Sequence, residues 1–179
     1  MRERGYTLVE LLVVIAIISL FGIGTLLQQN FSREDTALKK GAADLQSFIR
    51  LAQSNAQTAT ICQSGSSSAW TIEPGNTRTV VDLKCDISDS NPPLTQQSLN
   101  FDPNIEILSI TGNSNCDTSY PLQMLDIRFP TLSGKPVFES PVNNVCVVSS
   151  TFLNINLRNT KTGNTSTVTV DKGGMIDVR

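Results

Sequence analysis

From Leu11 to Leu27 the chain carries no charge, and its only polar side chains there are Ser19 and Thr25. At about 1.5 Å per residue, a helix from Tyr6 to Leu27 is just long enough to cross a bilayer core of about 30 Å. Three arrangements compete for such a segment. An ordinary secretory signal peptide has the same basic start, Arg2 and Arg4, but its cleavage box would have to be Gly22-Ile23-Gly24, a poor one. A plain anchor would keep Arg2 and Arg4 in the cytoplasm. A third kind of segment is cut before the apolar run. Glu10 separates them. A carboxylate at the edge of an apolar helix costs roughly 2–3 kcal/mol on insertion scales, and neither a signal peptide nor a simple anchor has a use for it. Cutting after Gly5 would supply one, because it frees a cationic amine on Tyr6, four residues before Glu10. In helices packed side by side with an axial stagger, that amine meets the Glu10 of a neighbour. In a low dielectric such a pairing is a strong register signal.

The segment Gly5-Tyr6-Thr7-Leu8-Val9-Glu10-Leu11 resembles the leader and helix start of type IV pilins and type II secretion pseudopilins. Their pattern is a short basic leader ending in Gly, a hydrophobic first mature residue, Thr-Leu-X-Glu and an apolar run. Tyr6 stands where Phe or Met is usual, and an amphipathic tyrosine suits a membrane interface. The resemblance implies a prepilin peptidase that cuts between Gly5 and Tyr6 and N-methylates Tyr6. It also implies inner-membrane lipid as the surroundings before assembly, then an inner-membrane assembly platform and other pilin subunits as partners. The expected location is the bacterial inner membrane, single-pass with the head in the periplasm or outside, and later a pilus or pseudopilus.

Beyond the run, apolar residues recur at Leu38, Ala42, Leu45, Phe48 or Ile49, Ala52 and Ala56, a helical period with one apolar stripe. The first proline is Pro74. One long helix from about Thr7 to about Ala59 is therefore expected, with its second half packed on the head. Gly22 and Gly24 each weaken that helix by about 1 kcal/mol relative to alanine. They serve either close packing in the membrane or a segment that melts on assembly. Leu27 stands where major pilins often place a proline there.

From residue 60 the composition turns to short strand-like runs between loops. These are Trp70–Ile72, Thr79–Leu83, Ser98–Phe101, Ile105–Ile110, Leu125–Phe129 and Val145–Val148. Leu153 to Leu157, Ser166–Val170 and Met175–Val178 follow as an antiparallel meander, with turns at Thr162-Gly163-Asn164 and Asp171 to Gly174. The stretch from Asp86 to Tyr120, rich in Asn, Ser, Asp and Pro, reads as variable surface loops. The expected fold is α+β: a long N-terminal helix packed on a C-terminal antiparallel sheet head. The divisions are a leader over 1–5, a transmembrane assembly helix over 6–30, its amphipathic continuation over 31–59 and a head over 60–179. Asp126 to Pro136 resembles the strand and turn of GspH/FimT-type minor pilins, and the strands at the chain's end look like that family too.

The chain has no histidine, which removes the commonest general base and the commonest metal ligand. Ser-x-x-Lys does not occur, and the carboxylates are scattered. No enzyme, metal or cofactor is expected. Cys62, Cys85, Cys116 and Cys146 lack the close pairs of a zinc site. In an exported chain they read as two disulfides. Three connectivities are open, and the sequential one, Cys62 with Cys85 and Cys116 with Cys146, is expected because it closes local loops.

The functional expectation is a minor pilin acting in assembly initiation or at a tip, with a type II secretion pseudopilin as the alternative. A further alternative is DNA capture in natural transformation, which some GspH/FimT-type subunits perform with basic residues near the C-terminus. Arg158, Lys161, Lys172 and Arg179 are the candidates here. Against Asp171 and Asp177 they leave 4 − 2 = +2 over residues 150–179, a small excess. A formal net charge of −2 does not favour a nucleic-acid partner either.

Overall fold

The computed structural model describes residues 8–62, 65–75, 77–87, 93–112, 126–139 and 150–179, with the side chains of 20–32 outside that description. One helix, α1, runs Leu8–Gln57 over 50 residues, or about 75 Å. No proline interrupts it. It stops where Ala59 turns left-handed (φ 50°) and the Thr60 amide folds back onto the Asn55 carbonyl. Among the described residues no helix is long and apolar enough to cross a membrane; the later part of the apolar run falls outside them.

Among the described residues nine strands follow. β1 (Ser67–Pro74), β2 (Val80–Ile87), β3 (Leu94–Asn100), β5 (Asp126–Pro130) and β6 (Val137–Glu139) form one sheet in the order β3-β2-β1-β5-β6. The second sheet, in the order β4-β7-β8-β9, holds β4 (Ile105–Thr111), β7 (Phe152–Asn159), β8 (Thr165–Asp171) and β9 (Ile176–Val178). All pairings are antiparallel. The head thus has two sheets where one was expected. The chain leaves the first sheet after β3, lays β4 beside β7, and returns for β5 and β6. Within the span from Asp86, the run expected at Ser98–Phe101 lies in β3, which begins earlier, at Leu94, and pairs with β2, and the run expected at Ile105–Ile110 is β4, which buries Ile105, Ile107 and Ile110. Cys116, Cys146 and the Val145–Val148 run lie outside the described residues.

The stripe on α1 is the inner layer. Leu38, Ala42, Leu45, Phe48, Ile49, Ala52 and Ala56 are all buried, and they share one core cluster with residues of both sheets. β7 alternates strictly, burying Leu153, Ile155, Leu157 and Asn159. Trp70 and Ile72 on β1, Ile127 and Phe129 on β5, and Phe138 on β6 line the other sheet. Full burial of side chains this size contributes roughly 1.5–3 kcal/mol each. Cys62 and Cys85 form a disulfide across 23 residues, with Cα atoms 6.1 Å apart, tying the segment after α1 to β2.

The outer face of the first sheet carries a row of carboxylates. Asp126 sits opposite Glu139 and one residue beyond the Ile72–Ile127 pair, beside Glu73. Lys84 pairs with Glu73, and Arg128 reaches Asp86 at 3.1 Å and Glu139 at 3.3 Å. Burial first, and Glu73 next, push the Asp126 carboxyl up to about 6, with Lys84 opposing and Glu139 and Asp86 adding to the rise. A carboxyl raised in the fold weakens stability as pH climbs from its ordinary value to about 6, with the full penalty above that. Asp126→Asn is therefore expected to raise Tm at pH 8 by about 2–4 °C, the shift that ~1 kcal/mol makes in a chain of this size. The gain disappears by about pH 4. Thermal melts of both proteins at the two pH values check it.

Candidate assembly site

The N-terminal part of α1 has no core to bury into. Leu8, Val9, Leu11, Leu12, Val13, Val14, Ile15, Ile17 and Ile18 are all about half exposed or more. Glu10 lies in the first turn of this apolar surface. Ser19 closes its hydroxyl onto the Ile15 carbonyl at 2.8 Å, so even this polar atom asks nothing of a partner. An all-round apolar helix is stable against lipid or against other helices, not in water. Gly5 and Tyr6 lie outside the described residues.

The other half of α1 is locked to the head by polar contacts that flank its apolar stripe. Gln46 Nε2 donates to the Ile176 carbonyl at 2.9 Å, and an Arg50 guanidinium nitrogen donates to the same oxygen at 3.2 Å. Gln53 Nε2 donates to two carbonyls, Gly134 at 2.7 Å and Gly174 at 2.9 Å. One side chain thereby joins the β5–β6 turn of one sheet to the β8–β9 turn of the other. The backbones meet closely there. A Cβ on Gly174, whose φ is +95°, would stand 2.6 Å from the Gly134 oxygen, and one on Gly134 would stand 2.1 Å from Gln57 Nε2. The Leu132 amide donates to the Ala56 carbonyl at 2.8 Å, satisfying one of the helix's last acceptors.

Lower on the helix, Glu34 plays the matching part. Its carboxylate accepts from Asn159 Nδ2 at 3.0 Å and from Lys161 Nζ at 3.0 Å. Asn159 is fully buried and is satisfied on its other side by the amides of Lys161 and Thr162. The Asn159 hydrogen bond first, and Lys161 second, hold the Glu34 carboxyl below its ordinary range.

Three of the four basic residues near the chain's end are paired with carboxylates. Arg158 on β7 pairs with Glu106, Lys161 with Glu34, and Arg179 with Asp177 at 3.4 Å. Lys161 and Lys172 flank opposite ends of β8. Among the described residues no group of three or more His, Cys, Asp or Glu could hold a metal ion. Sequence reasoning missed the Gln46–Arg50–Gln53–Gln57 row. Its spacing of four, three and four residues was the available signal, because it runs parallel to the apolar stripe.

Residues 1–26 match the family model described as the prokaryotic N-terminal methylation motif. The chain carries the type IV pilin or pseudopilin signal. No curated protein and no solved structure matches it. The signal indicates a structural subunit, and it implies processing by prepilin peptidase, inner-membrane anchoring and assembly with other pilins.

Two glycines separate close approach from simple turn geometry. Gly174→Ala drives a methyl into a backbone carbonyl and is expected to cost at least about 2 kcal/mol. Gly163, with φ +76° but nothing within 4 Å of a Cβ, should cost only about 1 kcal/mol on the same change. Denaturant unfolding of the two variants gives the comparison.

Proposed function

We propose that the chain is a minor subunit of a type IV pilus, of the GspH/FimT kind, acting in assembly initiation or at the tip. The observation that carries this reading is the bare apolar surface from Leu8 to Ile18 with one carboxylate, Glu10, in its first turn. Prepilin peptidase cuts between Gly5 and Tyr6 and methylates Tyr6. The helix then spans the inner membrane with the head on the far side. Burying Glu10 alone costs roughly 2–3 kcal/mol, and the Tyr6 amine of an adjoining subunit offsets that cost in the assembled fibre. A helix slid by one turn would lose the pair, so the charge selects register while the apolar surface supplies adhesion. The structural role is supported further by the head, whose polar groups at the helix junction serve internal contacts. DNA capture gains no support, since Arg158, Lys161 and Arg179 are each paired with a carboxylate.

Glu10→Ala removes the register charge and leaves an apolar helix that inserts at lower cost. The variant is expected to be cleaved and to reach the membrane normally. Its amount in sheared filaments should fall at least about tenfold, the equivalent of ~1.4 kcal/mol. Quantitative immunoblots of the membrane and filament fractions measure it. Undiminished incorporation would refute the amine–carboxylate mechanism, and loss of wild-type incorporation alongside a secretion defect would favour the pseudopilin alternative.

A further inference from the structure

We draw no further inference here: the strongest candidate, the groove between α1 and the start of β8 and end of β9, lined by Asp35, Leu38, Lys39, Thr165, Val178 and Arg179, carries nothing, because it holds charges of both signs and nothing in the structure shows what covers it.

Discussion

The described core of the head is built against one stripe of α1. Leu45, Ile49, Ala52 and Ala56 are fully buried, and they face strands from both sheets within a single core cluster. Alanine at 42, 52 and 56 keeps the helix surface shallow enough for strand side chains such as Trp70 and Phe129 to pack over it. Without this layer the two sheets would have no common core, since each is a narrow antiparallel set with one apolar face. The helix is therefore the element that makes one domain of two sheets.

The same helix changes character along its length without a break in its backbone. Up to Ile18 its apolar residues face outward all round. From Arg33 onward charges appear, and apolar residues keep to one side. The switch is compositional, so it was legible in the sequence, as were the C-terminal end of the helix to within two residues and the β7-β8-β9 meander with its glycine turns. Strict alternation at Leu153, Ile155 and Leu157 left little room for another register.

Other features were not legible, for identifiable reasons. The split into two sheets depends on whether β4 pairs with β3 or with β7, and nothing local at Ile105 to Thr111 decides it. β6 is only three residues long, Val137–Glu139, too short to show a period. The first half of β3, an edge strand, holds Thr95, Gln96 and Gln97 after an exposed Leu94, so its composition imitates a loop. The glutamines at 46 and 53 look like ordinary solvated helix positions until the turns they grip are known. The Glu34–Asn159 contact spans 125 residues, a distance at which single-sequence patterns carry no information.

Rigidity of the junction gives these details a common sense. A rod about 75 Å long transmits force or register from one end to the other only if the head cannot swivel on it. Apolar packing alone tolerates sliding, because it is not directional. Hydrogen bonds are directional, and here they sit where sliding would be felt. Asn159 and Lys161 fix the second sheet to the helix at Glu34. Some nineteen residues, about five turns, further up, Gln53 fixes both sheets at once. Two separated clamps define an orientation where one would define only a pivot. The two clamps thus fix the orientation of both sheets on the stretch of α1 between Glu34 and Gln53.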